Sequence, residues 1–452
     1  MYRENMISGW NAFSLDEVAD LKGGYAFKSK DYTPYGHVIL RTVNIGARGQ
    51  INREGAVFID EEKANEYKSF ALQASDTLFV MVGATLGKVG FIRPSDLPAL
   101  LNQNMWVIRA KENKVNPRYL YYSFSHTSKS ILGWASGAAR DFVRRDDFRK
   151  LKLSLPSLSE QKAISSVLGA LDDKIELNRR MSETLEEMAR AQFKSWFVDF
   201  DPVHAKAEGR DTGLPAHIAD LFPDSFEDSE LGEIPKGWVV QELKDHIVTT
   251  KGRSYRSSEL ISFSKTAMVT LKSFERGGGY RSDGLKSFVG PFKLQQEVIP
   301  GELVIACTDV TQAAEVVGKP AIVRGTSIYE TLVASLDALI VRPNDTFLST
   351  EYLYYLALTE SFTAHMYAHS SGTTVLHLSK FALPTFKFCL PPRQIVEIFT
   401  EFATSALRQV ESNSREEDCL INLRDLLLPK LISGEFRFPD PKSLLDKLET
   451  VA

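Results

Sequence analysis

Two short segments place cations, glycine and aromatic rings in matching order: Lys22-Gly23-Gly24-Tyr25-Ala26-Phe27-Lys28 and Lys251-Gly252-Arg253-Ser254-Tyr255-Arg256. Further polar turns accompany each. The first is joined by Arg41, Thr42 and Asn44 at the end of an apolar run, Lys88 in a glycine turn, and Asn102 and Asn104 ahead of another run. Arg140, Arg144 and Arg145 add three arginines in one Gly-containing turn, Ser136 to Arg145. The second is joined by Lys272, Thr308, Gln312, Thr373 and Thr374. Lys and Arg neutralise phosphates, while Arg, Asn and Gln reach base edges through paired hydrogen bonds. One polar loop means little, since loops are polar for ordinary reasons. Two sets in the same order point to binding.

Residues for bond-making chemistry do not assemble. Gly83-Ala84-Thr85-Leu86-Gly87-Lys88-Val89 is one residue short of a phosphate loop and lacks its hydroxyl. His365 and His369 have the spacing of zinc ligands on a helix, but the glutamate of HExxH is missing, so packing or surface roles are favoured. Pro391-Pro392 lacks the flanking residues of an amino-methyltransferase motif and reads as a strand-to-helix breaker. Cys307, Cys389 and Cys419 are too far apart for a CxxC pair, which suits a reducing compartment. The expectation is a protein that performs no chemistry alone and holds no metal or cofactor.

The elements that must position the polar turns occur twice. Tyr119-Leu120-Tyr121-Tyr122 returns as Tyr352-Leu353-Tyr354-Tyr355 at an offset of 233, and Ser136-Gly137 returns as Ser371-Gly372 at 235. A repeat this long is a duplicated domain rather than a solenoid unit. Within each copy, Val38–Val43 and Thr77–Val82, and then Ala267–Leu271 and Leu303–Ala306, read as strands. Asn116-Pro117 and Ser349-Thr350 start helices. Each lobe is therefore mixed α+β.

Each copy closes with a long helix of coiled-coil spacing. Ile164, Leu168, Leu171, Ile175, Asn178, Leu185, Ala189 and Trp196 form the first seam; Phe399, Ala403, Ala406, Val410, Asn413, Leu420 and Leu431 form the second. Asparagine at both matching places, 178 and 413, reads as a register device. About 36 residues of helix span roughly 54 Å. Packed antiparallel, such helices would form a coiled-coil-like spacer with one lobe at each end, giving a pseudo-two-fold repeat. The expected division is lobe 1–156, helix 157–200, surface linker 201–236, lobe 237–392, helix 393–435 and tail 436–452.

Charge follows the same division. The net charge of −4 breaks into +6 for residues 1–156, −8 for 157–236, +1 for 237–392 and −3 for 393–452. Relatively basic lobes on an acidic scaffold suit a polyanion at the lobes and protein at the scaffold. With 452 residues and 43% hydrophobic content, the chain has room for two or three globular domains. It shows neither a membrane-length apolar run nor a basic-then-apolar leader, so a cytoplasmic location is expected.

Several segments go beyond pattern. Leu155-Pro156-Ser157-Leu158-Ser159-Glu160-Gln161 with its helix, and Phe193-Lys194-Ser195-Trp196-Phe197-Val198-Asp199-Phe200-Asp201-Pro202-Val203, resemble the central conserved region of type I restriction-modification specificity subunits. Leu221 to Phe226 and Gly232 to Trp238 resemble that family's entry into its second half, and Leu426 to Glu435 resembles its distal region. Leu390-Pro391-Pro392-Arg393-Gln394 keeps the Pro and Gln but lacks the acidic residue. The resemblance implies a DNA-recognition subunit whose two target-recognition domains read a split, asymmetric sequence in double-stranded DNA. It implies that the helices set the unread spacing and dock two methyltransferase subunits, with restriction subunits joining through them. S-adenosylmethionine, ATP and Mg would then belong to those partners.

Overall fold

The computed structural model describes residues 9–46, 49–53, 55–83, 85–135, 148–310, 313–326, 328–344, 347–443 and 445–446. The chain divides into two compact units, one formed by 1–177 with 416–452 and the other by 178–415. These boundaries differ from the expected 156/157 and 392/393 because each long helix packs part of its length into each unit.

The first unit holds a four-stranded antiparallel sheet in the order Ala19–Gly23, Met105–Ala110, Thr77–Val80, Val89–Phe91. Beside it lies a three-stranded sheet, Val57–Ile59, His37–Leu40, Ala99–Leu101, whose last two strands run parallel. The run expected over Val38–Val43 stops as a strand at Leu40. Asn44 ends it: its Oδ1 accepts from the Arg41 N–H at 3.0 Å and closes a tight turn. The core packs Trp10, Phe79, Trp106, Tyr119, Phe124 and Phe148 against Ile164 and Leu168 of the first long helix and Leu431 and Ile432 of the second.

The second unit repeats this topology. Its four-stranded sheet runs Ile247–Lys251, Ala338–Pro343, Leu303–Ala306, Pro320–Ile322. Its three-stranded sheet is Lys286–Ser287, Thr266–Val269, Thr331–Ala334, again with the last two parallel. A small sheet of Thr308–Asp309, Leu376–Leu378 and Ser370–Ser371 is added. The helix expected at Ser349 begins there: Ser349 Oγ accepts from the Tyr352 N–H at 3.0 Å and satisfies one of the orphan donors of the first turn. The fold is α+β throughout.

The long helices are Leu158–Phe197 and Arg393–Ile432, 40 residues each. In the first unit Asp172 meets Arg424 and Lys174 meets Glu416, so the segments run antiparallel. In the second unit they are also antiparallel: Phe193 packs on Phe399 at 5.3 Å and Asn413 meets Ser182 at 3.3 Å. No helix among the described residues is long and apolar enough to cross a membrane.

Two expectations need correction. Residues 201–236 are not a featureless surface linker. They form the helices Asp201–Ala207 and Ala216–Ala219 and the hairpin Phe226–Ser229/Gly232–Pro235. Val203, Phe222 and Ile234 are buried with Trp196, Phe197 and Trp238, and Trp196 meets Phe222 edge-on at 5.4 Å. Elements this short carry no periodicity, so cohesion comes from side chains distant in sequence. Second, Gln394 is not the counterpart of Gln161. Leu155 and Leu390 both end a strand and the helices follow at 158 and 393, so the counterpart of Gln161 is Val396. Gln161 is buried, accepting from the Asn116 N–H at 2.8 Å and donating to the Pro156 carbonyl at 2.9 Å. Val396 is buried among apolar side chains and Gln394 is exposed.

Candidate nucleic-acid interface

In each lobe the polar turns converge where the parallel strand pair ends. In the first, Leu40 and Leu101 are paired, and Arg41 and Asn102 follow them. The Asn102 N–H donates to the Leu40 carbonyl at 3.1 Å, and the Tyr25 N–H to the Leu101 carbonyl at 3.0 Å. The chain after Gly23 therefore crosses the strand ends closely. A Cβ on Gly24 would stand 2.0 Å from the Asn102 carbonyl oxygen, so only glycine fits. The Met81 N–H donates to the Asn104 carbonyl at 3.1 Å, and Lys88 Nζ to the Ile45 carbonyl at 2.9 Å. Lys22, Arg41, Thr42, Asn44, Lys88, Asn102 and Asn104 thus come from four chain segments to one edge.

The second lobe builds the same edge. The Ser335 N–H donates to the Val269 carbonyl at 2.9 Å and the Arg253 N–H to the Ala334 carbonyl at 2.7 Å. A Cβ on Gly252 would stand 2.0 Å from the Ser335 carbonyl oxygen. Thr308 pairs with His377, whose neighbouring strand partner is Ser371, just ahead of Thr373 and Thr374. Lys251, Arg253, Arg256, Lys272, Thr308, Thr373 and Thr374 are gathered here. Cys307 lies beside them, and burial pushes its thiol up to about 11.

Several of these side chains are used by the lobe itself. Asn44 is fully buried, its amide donating to the Asn52 carbonyl at 2.9 Å. Thr308 is nearly buried and donates to Asp337 at 2.9 Å. Arg253 is held by Glu259 at 2.7 Å and lies 4.9 Å over the Phe288 ring. Lys22 reaches the Ser69 carbonyl and lies 5.1 Å over Phe70, and Arg41 is bonded to the Gly55 carbonyl. Thr42 and Asn102 are half-buried. Lys28, Asn104, Lys251, Arg256, Lys272, Thr373 and Thr374 are exposed. Arg140, Arg144, Arg145 and Gln312 lie outside the described residues.

Sequence reasoning passed over two features of this edge. Tyr25, Phe27, Tyr67 and Phe70 form one aromatic group, with Tyr25 4.7 Å from Tyr67 and 5.2 Å from Phe70. Asp337 joins the second lobe's edge through Thr308. The aromatics of Tyr67 and Phe70 are more than forty residues from Tyr25, so only strand pairing joins them. Asp337 was legible in principle, as the residue matching Asn104 at the 233 offset.

The histidine pair is structural. His365 and His369 stack at 4.2 Å; His365 Nε2 bonds the Ala382 carbonyl at 3.0 Å and His369 Nδ1 the His365 carbonyl at 2.9 Å. Among the described residues no group of three or more His, Cys, Asp or Glu could hold a metal ion.

On the helices, Asn178 and Asn413 are both buried, with Val410 beside Asn413. Ile175, Leu185 and Leu420 are half-buried, and Ile421 rather than Leu420 takes the more enclosed place. Asn413 is fixed by Gln409, which donates to its Oδ1 at 2.9 Å, and donates in turn to Ser182 at 3.3 Å.

Comparison with known proteins agrees with the motifs. Residues 7–187 match the family described as the type I restriction modification DNA specificity domain. The HindI type I restriction enzyme specificity subunit of Haemophilus influenzae is 26% identical over 418 residues, covering 81% of this chain and 87% of that protein. The MjaIX specificity subunit of Methanocaldococcus jannaschii is 24% identical over 441 residues, covering 95% and 94%. The crystal structure of a type I restriction-modification S subunit from M. genitalium superposes with a TM-score of 0.55 at 16% identity, covering 97% and 98% of the two chains, which shows a shared fold. The resemblance to type I specificity subunits therefore holds along both halves.

Proposed function

From a chain that carries the type I restriction modification DNA specificity domain and matches specificity subunits over most of its length, we propose a non-catalytic subunit that selects DNA sequence for a methyltransferase–nuclease complex. Each lobe reads one half of a bipartite target. The lobes differ in their exposed side chains, so the target is asymmetric. The helices dock methyltransferase subunits, and restriction subunits join through these. S-adenosylmethionine, ATP and Mg act on the partners.

The observation that supports this reading best is the matched edge: the same strand ends, in both lobes, each bearing cations and hydroxyls, with amides added in the first. Exposed Lys28, Lys251, Arg256 and Lys272 supply phosphate contacts, which position a duplex without reading it. The full chain, assembled with its methyltransferase, is expected to bind duplex DNA with an affinity that falls steeply as salt rises, by a slope of about 0.9 per phosphate neutralised. Sequencing of the modified DNA should return one split motif. Salt-insensitive assembly with no affinity for DNA would replace this reading with that of a protein scaffold.

A further inference from the structure

Asn104 and Asp337 occupy the same place in the two lobes. Each immediately precedes an inner strand of the four-stranded sheet, Met105–Ala110 or Ala338–Pro343. The Asn104 carbonyl accepts from the Met81 N–H at 3.1 Å, and the Asp337 carbonyl from the Cys307 N–H at 2.7 Å. Met81 and Cys307 in turn follow equivalent strands. The backbone arrangement is common and the side-chain chemistry is not. An amide both donates and accepts; a carboxylate only accepts.

Asp337 is held by its neighbours rather than neutralised by them. Thr308 Oγ1 donates to its Oδ1 at 2.9 Å, while Arg253, bridged along the backbone to Ser335, is engaged by Glu259 rather than by Asp337. A carboxylate facing nucleic acid is repelled by phosphate and is favoured only where it accepts from a base amino group. In the major groove cytosine presents its N4 amino group as a donor, whereas adenine sets an N7 acceptor beside its N6 amino group and guanine presents two acceptors. The acceptor-only group therefore prefers cytosine. The donor–acceptor pair of an amide matches adenine.

We propose that Asn104 and Asp337 are equivalent base-reading positions, Asp337 selecting cytosine in the second lobe's half-site and Asn104 selecting adenine in the first's. This rests on the DNA-reading function above. It adds a source for the asymmetry between half-sites: one substitution of acceptor for amide at a shared backbone position.

The test uses the full chain assembled with its methyltransferase, with the modified DNA sequenced. Asp337→Asn keeps an oxygen for Thr308 and should relax discrimination at one cytosine of one half-site by about 10-fold, leaving the other half-site unchanged. Asn104→Asp, at an exposed position, should change one adenine of the opposite half-site. Both variants returning the parental motif would overturn the proposal. An assembly of the unaltered chain that modifies no defined sequence would overturn the DNA-reading function itself, and this inference with it.

Discussion

The two units share a fold but hold their helix pairs together by opposite means. In the first, Asp172 accepts from Tyr122 Oη at 2.5 Å and from Arg424 Nη1 at 3.0 Å. Asp172 and Arg424 expose only 12% and 14% of their side chains, so this is a largely enclosed ion pair. Arg118 grips Asp173 through two hydrogen bonds, at 2.7 and 2.9 Å. At the offset of 235, the second unit places Leu407 where Asp172 stands and Ala189 where Arg424 stands. Its Tyr355, the counterpart of Tyr122, has a buried hydroxyl with no partner among the described residues. There Phe193, Phe197, Tyr352 and Phe399 interlock with centroids 4.9 to 6.3 Å apart. One seam is a charged network and the other an aromatic cluster. Backbone topology is thus indifferent to how the seam is filled, provided each filling is complete.

The sharpest way to break that comparison is to remove one member of the charged seam. Arg424→Ala leaves Asp172 enclosed beside a phenol and without its cation, and is expected to destabilise the first unit by about 3–5 kcal/mol. Urea denaturation followed by a probe in each unit reads this. A loss below about 1 kcal/mol would mean that water or rearrangement supports Asp172, and that the network is not a structural requirement.

Converting one seam into the other gives a smaller effect of opposite sign. The double variant Asp172→Leu with Arg424→Ala copies the second unit's residues into the first. Replacing an enclosed ion pair by packed apolar groups is commonly neutral or stabilising, by up to about 4 kcal/mol. The double variant should therefore recover at least the loss seen in Arg424→Ala alone. A double variant weaker than the single one would show that the first seam depends on polar pairing.

Two arginines of the second lobe's edge separate in the same spirit. Arg253 is tied to Glu259 and stacked on Phe288; Arg256 is exposed. Arg253→Ala is expected to lower stability by about 1–2 kcal/mol through the lost pair and the lost ring contact. Arg256→Ala should leave stability unchanged while reducing the salt slope of DNA binding by about one charge. The reverse pattern would exchange their roles.

How much of this was readable beforehand varies with distance along the chain. The strand at Leu303–Ala306, the helix start at Ser349 and both long helices are local patterns that lie where their residues placed them, and the strand expected over Thr77–Val82 forms over Thr77–Val80. The four-segment convergence on Asn102 is not local. It depends on Gly24 and Gly252 passing strand ends that sequence alone does not bring near. The seam repeat was legible except where it mattered most for stability: adding the offset to Ala189 lands on Arg424, a charge at a core position, intelligible only once Asp172 and Tyr122 are seen around it. The folded segment 201–236 was hidden for a different reason. Its helices of seven and four residues are too short to show a period, and their burial follows from Trp196, Phe197 and Trp238 elsewhere in the chain.

The smallest expected effect concerns the seam asparagines. Asn413 is buried, and its amide nitrogen donates to Ser182 across the helix pair at 3.3 Å, a long bond. Ser182 Oγ also donates to the Asn178 carbonyl at 3.0 Å, so one hydroxyl links both asparagine positions. Ser182→Ala removes this link while leaving Asn413 its bond from Gln409. A neutral hydrogen bond contributes about 0.5–1.5 kcal/mol, so the stability loss should be about 1 kcal/mol. Asn413→Val should cost no more than that, because an apolar side chain of similar size removes the buried polar group along with its bonds. Buried asparagines in coiled coils trade stability for a unique pairing, so the informative readout of Asn413→Val is the cross-linking pattern between cysteines placed along the two helix segments of the second unit. Loss of a single pattern at nearly unchanged stability would identify Asn413 as the residue that fixes register there. An unchanged pattern would assign register to the aromatic cluster around Phe193 and Phe399 instead.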